Sequence, residues 1–252
     1  MKLRDTIALV TGANQGLGKC YTEELLRLGA ARIYACALSL DWLEPLCETH
    51  GPRIVPLKLD VTDPNDIAAA VEAAPDLTVL LNNAGVLEAK GLIEAGSLDC
   101  FRREMEVNVF GLANMSLAFA PVISANGGGA IINMLSAASL ANFPPFGTYC
   151  ATKAGAMSIT HCLRYELKNR DIQVFGIYAG LIDTDMLNSV GGEKSDPKDI
   201  AAAALKAVEA GIPDIDTDDR AKWLRNMLMA DPEGLLAQQH ERADSFYETR
   251  SM

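Results

Sequence analysis

Positive charge is scarce in this sequence, and a shortage of positive charge argues against nucleic acids as partners. The 252 residues contain 22 Lys and Arg against 33 Asp and Glu, which gives a formal net charge of −11. Such a surface repels a phosphate backbone instead of recruiting it through the release of counterions. We therefore expect no nucleic acid among the partners of this protein.

The apolar run near the N-terminus is short, and paired cysteine motifs are missing. The apolar run from Ile7 to Thr11 is too short for a signal-peptide core of roughly 7 to 15 residues or a membrane span of about 20. None of the six cysteines stands in a CxxC pair, and Cys36 lies inside an apolar run, as a small core residue does. These features predict a cytoplasmic protein with reduced thiols and with no membrane partner, disulfide framework or metal site.

The sequence does contain enough apolar material for one hydrophobic core. It is 49% hydrophobic and has no internal repeat or low-complexity stretch, so residues 1–252 are predicted to form a single domain. Short apolar runs alternate with segments of helical period, which is typical of an α/β fold with a Rossmann-type, doubly wound parallel sheet. The predicted strands are Thr6–Val10, Arg32–Ala37, Ile54–Leu59, Leu77–Leu81, Ala130–Met134 and Gln173–Tyr178. The predicted helices are Gly18–Leu28, Leu43–Thr49, one that starts at Asp63-Pro64, Ser97–Ser124, Gly147–Asn169, Asp199–Ala210 and Arg220–Met229.

The composition changes after Ile182. The segment from Asn188 to Pro197 is polar and contains glycine, as a mobile loop does. Residues 186–252 are therefore predicted to form a substrate lid followed by a helical C-terminal extension. The last fifteen or so residues, from Gln238, are polar and are expected to fray, as chain termini commonly do.

A glycine-rich turn joins the first predicted strand to the first helix. It reads Thr11-Gly12-Ala13-Asn14-Gln15-Gly16-Leu17-Gly18. Glycines at this place let the backbone approach phosphate groups, and the free N–H groups of a helix start bind a dinucleotide pyrophosphate. The spacing G-x-x-x-G-x-G differs from the general G-x-G-x-x-G fingerprint, so a simple tight turn is the alternative for the isolated motif.

A phenol and an ammonium group stand four residues apart on one predicted helix. They belong to Tyr149 and Lys153, and this spacing places both on one helix face. A tyrosine has an ordinary pKa of about 10, so a phenol that exchanges protons near neutrality needs a pKa lowered by roughly 2 to 3 units. A close ammonium group in a partly dry cleft acts in that direction. Such pairs are also common on ordinary helices, so the pair alone does not indicate a site.

Three further features occur in a characteristic order along the chain. Asn82-Asn83-Ala84-Gly85 follows the fourth strand, Asn108 lies in the long helix, and Ser136 stands thirteen residues before Tyr149. Together with the glycine turn and the Tyr–Lys pair, these motifs resemble the short-chain dehydrogenase/reductase family in its compact, non-extended branch. The resemblance covers residues 6–186 and is closest to carbonyl reductases.

The resemblance implies a role for each of four side chains. Tyr149 would be the general acid/base, and Lys153 would bind the nicotinamide ribose and lower the pKa of the phenol. Ser136 would donate a hydrogen bond to the substrate oxygen, and Asn108 would hold a water molecule that links Lys153 to solvent. Two alternatives stay open. Ser136 could be a capping or turn residue, with Ser139 close by, and Asn108 could be a buried polar residue that the backbone satisfies.

The resemblance also implies NAD(P) as the cofactor. Asp60 would contact the adenine, although it could also be a strand-end acid, and Gly180 to Thr184 would contact the nicotinamide. Ala179 stands where the family usually has proline. The implied cofactor-binding residues are Gly12, Asn14, Gln15, Gly16, Leu17, Gly18, Ala37, Leu38, Asp60, Val61, Asn83, Ala84, Gly85, Tyr149, Lys153, Gly180, Ile182 and Thr184.

The residues that usually distinguish NAD from NADP are both missing. Ala37 occupies the position of the acid that holds the ribose 2′-OH in NAD-preferring members. Leu38 and Gln15 occupy the positions of the cations that hold the 2′-phosphate in NADP-preferring members. The preference is therefore unresolved, and another cation, such as Lys19, is the alternative phosphate anchor.

These inferences predict an oxidoreductase that acts on a ketone or secondary alcohol. No arginine-rich site for a carboxylate or phosphate is visible, and Arg102-Arg103 is the only basic pair near the motifs. The alternative is a catalytically idle dinucleotide-binding sensor or scaffold protein. The predicted substrate wall is mostly apolar, which favours a hydrophobic or aryl ketone; it consists of Phe143, Pro145, Phe146, Leu181, Met186 and Leu187.

The family resemblance also implies that copies of this chain assemble. The two long predicted helices, Ser97–Ser124 and Gly147–Asn169, are the expected interface of a homo-oligomer, either a tetramer or a dimer.

Overall fold

Parallel strands form the centre of the protein. A computed structural model describes residues 1–88, 90–188 and 190–250. Seven strands of this part of the chain form one sheet, in the order β3-β2-β1-β4-β5-β6-β7, and every neighbouring pair is parallel. The strands are β1 Ile7–Thr11, β2 Arg32–Ala37, β3 Ile54–Lys58, β4 Val79–Asn82, β5 Gly129–Met134, β6 Ile172–Tyr178 and β7 Asp214–Asp216.

Helices cover both faces of this sheet. They are α1 Gly16–Arg27, α2 Glu44–His50, α3 Pro64–Ala73, α4 Asp99–Met105, α5 Leu112–Ala125, α6 Gly147–Glu166, α7 Pro197–Glu209, α8 Asp219–Ala230 and α9 Pro232–Arg250. Successive residues of a strand point to opposite faces. Ala8 and Val10 of β1 accordingly belong to a core with α1 and α7, whereas Leu9 belongs to a second core with α3 and α5.

The predicted doubly wound fold is confirmed. The six predicted strands agree with the structure to within two residues at each end. The short edge strand β7 was not predicted, because a strand of three residues, of which the first and last are aspartates, carries no strand pattern. Ser189, Ser251 and Met252, which belong to the predicted lid and extension, lie outside the described residues.

Two predictions about helices are wrong. The helix predicted over Ser97–Ser124 is interrupted by a π-helical turn, Glu106–Gly111, between α4 and α5. The tail predicted to fray is the helix α9, which continues to Arg250. Its Leu235, Gln239 and Ala243 are buried, so packing against the rest of the domain stabilises a segment whose composition alone indicated fraying.

The stretch Asp99–Ala125 is apolar enough, by length and composition alone, to cross a membrane, with a mean hydropathy of 1.5. Half of the most apolar 18-residue window of this stretch is buried inside the protein. Met115, Phe119 and Ile123 pack in the core beneath β4 and β5, so the segment has the contacts of a core helix.

The sheet order positions the site. The chain runs outward from β1 through β2 and β3, and then returns to place β4 on the other side of β1. The loops after β1 and β4 consequently leave the sheet in opposite directions and open a crevice at their carboxyl ends. Ligands of open α/β sheets bind in such crevices.

Candidate active site

One cavity of about 980 Å³ lies at the carboxyl edge of the sheet. Every predicted cofactor-binding residue and Ser136 lie on its wall. Of the predicted site residues, Asn108 alone is not on the wall. The fold therefore brings together motifs that are spread over residues 12–184.

The glycine turn has a backbone that only glycine adopts readily. Gly12 and Gly16 have φ angles of +66° and +52°, a region that favours glycine. A Cβ atom on Gly18 would lie 2.0 Å from the carbonyl oxygen of Gly12. The loop is thus folded tightly onto the start of α1, whose first N–H groups have no partner within the helix. This is the arrangement that accepts a pyrophosphate.

Hydrogen bonds fix this turn to the end of β4. The Thr11 hydroxyl accepts hydrogen bonds from the backbone N–H groups of Asn83 and Ala84, both at 2.9 Å. The Asn83 amide Nδ2 donates to the carbonyl oxygens of Thr11 at 3.0 Å and Gly12 at 3.4 Å. The two loops that form the crevice therefore keep their relative positions through side-chain to backbone bonds.

Ser136 and Tyr149 meet on the cavity wall. The Ser136 hydroxyl acts on the Tyr149 phenol in the direction of a lower pKa. Ser136 also caps the short helical turn after β5, where its Oγ accepts from the N–H of Ala138 at 3.1 Å. Ser139 is buried and accepts from the N–H of Ser136 at 3.3 Å. Ser136 thus both caps this turn and lies on the cavity wall. Ser139 is buried and is hydrogen-bonded to the backbone of Ser136.

Burial shifts the pKa values of both predicted titratable groups toward the neutral forms. It raises the pKa of Tyr149, and the opposing effect of the Ser136 hydroxyl is smaller. Burial also lowers the pKa of Lys153 to about 8. Lys153 Nζ donates to the Met134 carbonyl oxygen at 2.9 Å and lies 5.7 Å from the centre of the Tyr149 ring. The expected lowering of the phenol pKa is therefore not present in the protein alone.

Asn108 lies behind the cavity, in the π-helical turn. It is 2% exposed. Its Oδ1 accepts from the N–H of Val86 and its Nδ2 donates to the Val86 carbonyl oxygen, both at 2.9 Å. Nδ2 also reaches the Thr152 hydroxyl at 3.1 Å. The geometry matches the alternative of a buried amide that its neighbours satisfy, and it fixes the loop after β4 against α6.

The end of the cavity near β2 carries apolar side chains. Leu38 is 55% exposed and lies on the wall together with Trp42, which is 53% exposed and which the sequence analysis missed. Lys19, the alternative phosphate anchor, is not on the wall and pairs with Glu23 at 3.9 Å.

Asp60 combines two contacts at the end of β3. Its Oδ1 accepts from the backbone N–H of Thr62 at 2.9 Å and from the Thr62 hydroxyl at 2.7 Å. The residue also lies on the cavity wall. It is therefore both a strand-end acid that closes a turn and a possible ligand contact, the two alternatives that the sequence left open.

Tertiary contacts fix the loop after β6, in which Ala179 stands at the position of the usual proline. The carbonyl oxygen of Ala179 accepts from the N–H of Ala137 at 2.8 Å. The N–H of Gly180 donates to Asp218, the N-cap residue of α8, at 2.7 Å. A Cβ on Gly180 would lie 2.8 Å from Cβ of Arg220. The start of α8 thus holds this loop without the rigidity of proline.

Five of the six predicted substrate-wall residues lie on the cavity wall, but the prediction is incomplete. Of its six residues, Pro145 is buried and is not on the wall, because it packs at the start of a short helical turn. The sequence analysis missed residues that α8 and α9 bring to the wall. They are Arg220, Leu224, Gln239, Arg242, Ser245 and Phe246.

The two arginines in this set correct the expectation that the site lacks them. They lie more than sixty residues beyond Tyr149, and the residues from Gln238, which include Arg242, were expected to fray. No local signal in the sequence could have placed them here.

Comparisons with known proteins agree with this geometry. The sequence model of one family, described as short chain dehydrogenase, matches residues 6–195. A sorbitol dehydrogenase of Cereibacter sphaeroides is 31% identical over 219 residues, which cover 84% of this chain and 85% of that protein. An NADP-dependent 3-hydroxy acid dehydrogenase of Schizosaccharomyces pombe is 28% identical and covers 70% of this chain and 71% of its own length. The crystal structure of a short chain dehydrogenase from Burkholderia cenocepacia J2315 in complex with NADP superposes with a TM-score of 0.90 at 36% identity, over 95% of this chain and 99% of that one.

Proposed function

The chain belongs to the short-chain dehydrogenase/reductase family, and we propose that it is an NAD(P)-dependent oxidoreductase that moves hydride between nicotinamide and a ketone or secondary alcohol. One observation carries the proposal. Ser136 and Tyr149, whose hydroxyl groups are close enough for Ser136 to affect the pKa of the phenol, lie on the wall of the same cavity as the glycine turn. A carbonyl oxygen placed between them would face two donors beside a dinucleotide site.

The residues of the cavity fit a dinucleotide. The glycine turn leaves no room for a Cβ on Gly18, and it exposes the N–H groups of α1 to a pyrophosphate. Asp60 would meet the adenine half, while Tyr149 and Lys153 would meet the nicotinamide ribose. When bound, NAD(P) supplies or accepts hydride at its nicotinamide ring. The 36% identical Burkholderia cenocepacia protein was crystallised with NADP, which supports this choice of cofactor.

We assign the proton transfer to Tyr149. In reduction, its hydroxyl would donate a proton to the substrate oxygen while Ser136 holds that oxygen with a second hydrogen bond. In oxidation, Tyr149 would take the proton back. Lys153, whose Nζ lies 5.7 Å from the centre of the Tyr149 ring, would favour the phenolate when protonated. Asn108 acts as a positioning residue, because it fixes the loop after β4.

The wall favours a hydrophobic or aryl substrate. Phe143, Phe146 and Phe246 form a cluster of edge-to-face rings with centroids 5.3 to 5.9 Å apart. Tyr149 packs against the same cluster. Relatives named as sorbitol dehydrogenase and 3-hydroxy acid dehydrogenase support an alcohol or its ketone as the reacting group.

We also propose that the protein is a homo-oligomer, in which the two long helical segments form the interface. Phe110 and Leu117, on the stretch from α4 to α5, and Tyr165 of α6 are exposed although they are large and apolar. Large exposed apolar side chains on neighbouring helices favour association over exposure to water.

A turnover assay tests the proposed function. Each nicotinamide nucleotide is combined with a panel of aryl and alkyl ketones and secondary alcohols, and cofactor binding is titrated separately. We expect binding and turnover. Binding without turnover of any panel member would instead identify the sensor or scaffold protein.

Substitution of Tyr149→Phe tests the assignment of the proton donor. The ring still packs, but the hydroxyl group is lost, so kcat should fall by about 10²- to 10⁴-fold while cofactor affinity changes little. Steady-state kinetics and a cofactor titration measure the two quantities. A variant that retains more than about a third of wild-type turnover, against a typical loss of this size, would remove Tyr149 from the mechanism.

A further inference from the structure

The C-terminal helices α8 and α9 bring positive charge to the wall of the cavity. Arg220 at the start of α8 and Arg242 on α9 both lie on its wall, together with the buried side chain of Gln239. Arg242 lies between Gln239 and Phe246 on one face of α9, at helical spacings of three and four. Phe246 also lies on the wall, so this face of α9 looks into the cavity.

Neither guanidinium is held by a carboxylate in the described part of the chain. Arg220 lies over the Trp223 ring at 5.0 Å, and Arg242 lies over the Phe143 ring at 5.7 Å. Arg242 donates a long hydrogen bond, of 3.4 Å, to the Gln239 side-chain oxygen. Burial lowers the pKa of Arg242, because part of its charge is desolvated without a counterion.

Two other arginines of the same region, in contrast, have guanidinium groups that are bonded to carboxylates. Arg225 of α8 makes two bonds of 2.6 and 2.9 Å to the Asp216 carboxylate. Arg164 of α6 makes two bonds of 3.1 Å to Asp214. Arg225 and Arg164 thus have bidentate carboxylate partners, and Arg220 and Arg242 do not.

The acidic residues of the cavity wall lie on other elements. Asp60 follows β3, Glu106 lies in the π-helical turn, and Asp185 lies in the loop after β6. The described part of α8 and α9 contributes cationic and neutral side chains to the wall, but no carboxylate. The charged side chains that α8 and α9 contribute to the wall are therefore positive, although the whole chain carries −11.

We propose that the substrate carries a carboxylate or a chemically similar oxyanion, which Arg242 binds with Arg220 while the reacting carbonyl oxygen lies at Tyr149 and Ser136. The proposal rests on the proposed oxidoreductase function and specifies its substrate class. The aromatic cluster connects the two ends, since Phe143 touches both the Arg242 guanidinium and the ring of Phe146. A ketone or alcohol with an apolar body and an anionic end fits this arrangement.

Matched ketones test the proposal. The acids 4-oxo-4-phenylbutanoate and 5-oxo-5-phenylpentanoate are compared with their methyl esters, which keep the reacting group and lose the charge. We expect the wild type to prefer at least one acid over its ester by about 10- to 100-fold in kcat/KM, the range for charge-assisted hydrogen bonds. Equal kcat/KM for both acids and their esters would overturn the proposal.

Variants locate the charge that produces the preference. Arg242→Gln should abolish most of the preference, Arg220→Gln should reduce it, and Arg242→Lys should retain part of it. Arg102→Gln is the matched control, because Arg102 is exposed on α4 and pairs with Asp99 at 3.5 Å. An unchanged preference in Arg242→Gln would overturn the proposal. An effect of Arg220→Gln confined to the cofactor KM would remove Arg220 from the anion site.

A binding measurement separates this proposal from the proposed function. Calorimetry compares 4-phenylbutanoate with 4-phenylbutanamide, neither of which can react, on the cofactor-loaded protein. The carboxylate should bind about 10-fold more tightly or better, and Arg242→Gln should remove the difference. If no ketone or alcohol is turned over, the proposed function fails, and this comparison still tests the anion site. Equal affinity of both compounds would overturn the site even in an active enzyme.

Discussion

At the scale of single residues, burial sets the protonation states around the reacting atoms. The pKa of Tyr149 is raised, so its phenol is neutral at neutral pH and can donate a proton to a carbonyl oxygen. Oxidation of an alcohol requires the phenolate instead. The Lys153 ammonium and the positive charge of an oxidised nicotinamide both favour that form. The protein by itself is therefore prepared for reduction, and the charge of the bound cofactor is needed for the reverse reaction.

The lowered pKa of Lys153 makes stability depend on pH in the cofactor-free protein. The value is about 8 in the folded chain, compared with the ordinary 10.5. Between these pH values the unfolded chain binds one proton more than the folded chain, so the free energy of unfolding rises with pH. Lys153→Met removes this dependence. We expect the wild type to gain up to about 3 kcal/mol relative to the variant between pH 8 and 10.5.

Urea unfolding of both proteins at a series of pH values measures this difference. Lys206→Met is the control, because Lys206 is exposed on α7 and its substitution should leave the pH dependence unchanged. Parallel curves for the wild type and Lys153→Met would show that Lys153 titrates normally in the folded protein.

The choice between NAD and NADP also depends on single side chains. Ala37 offers no acceptor to the ribose 2′-OH, and Leu38 offers no cation to a 2′-phosphate, whose charge-assisted bonds contribute roughly 1.5 to 3 kcal/mol each. We expect the wild type to discriminate by less than about a hundredfold. Leu38→Arg should shift the ratio of kcat/KM values toward NADP, and Ala37→Asp should shift it toward NAD.

The control for the cofactor series is Leu40→Arg. Leu40 is exposed two residues beyond Leu38 but is not on the cavity wall, so a cation there should change the ratio little. Strong wild-type selectivity that neither Leu38→Arg nor Ala37→Asp alters would show that the ribose lies elsewhere.

At the scale of elements, the predicted lid is attached at its ends and weakly held between them. Ser195 N–H donates to the Leu181 carbonyl oxygen at 2.8 Å, and Lys194 Nζ reaches the Leu187 carbonyl oxygen at 2.8 Å. Val190 packs on the aromatic cluster beside Phe146. Gly191, Gly192 and Glu193 are exposed, and segments with few buried contacts open most readily.

Hydrogen exchange tests whether this segment closes over a substrate. We expect exchange between residues 186 and 197 to slow when cofactor and a ketone or alcohol product are both bound, because closure buries Val190 and Leu187 further. Peptides from α3, on the far side of the sheet from α7, serve as the internal control. Unchanged protection in the saturated ternary complex would identify a static loop.

At the scale of the whole molecule, one exposed apolar face remains on the two long helical segments. Leu117 of α5 is 76% exposed. If this face is an interface, Leu117→Glu places a charge in a dry contact and should convert the oligomer to a smaller species. Light scattering after size exclusion measures the mass of each protein.

The control for assembly is Met229→Glu on α8. Met229 is 81% exposed and lies outside the two proposed interface helices, so its substitution should leave the mass unchanged. A monomeric wild type, or an oligomer that Leu117→Glu leaves intact, would contradict the proposed interface.

The sequence by itself determined the six strands β1 to β6, the glycine turn and the order of the motifs from Thr6 to Met186. These features depend on local requirements, since strands need apolar runs and the turn needs glycine at Gly12 and Gly16, where φ is positive. Local requirements leave a local signature, which can be read without knowing what packs against it.

Only the tertiary structure decided which distant residues join the site. Asp218 holds the loop at Gly180, and α9 places Arg242 on the cavity wall. It also showed that Asn108 lies behind the wall and that burial raises the pKa of Tyr149. Each of these depends on how elements far apart in the chain dock on one another. A polar terminal segment carries little helical signal of its own, so its fold came from the contacts it makes.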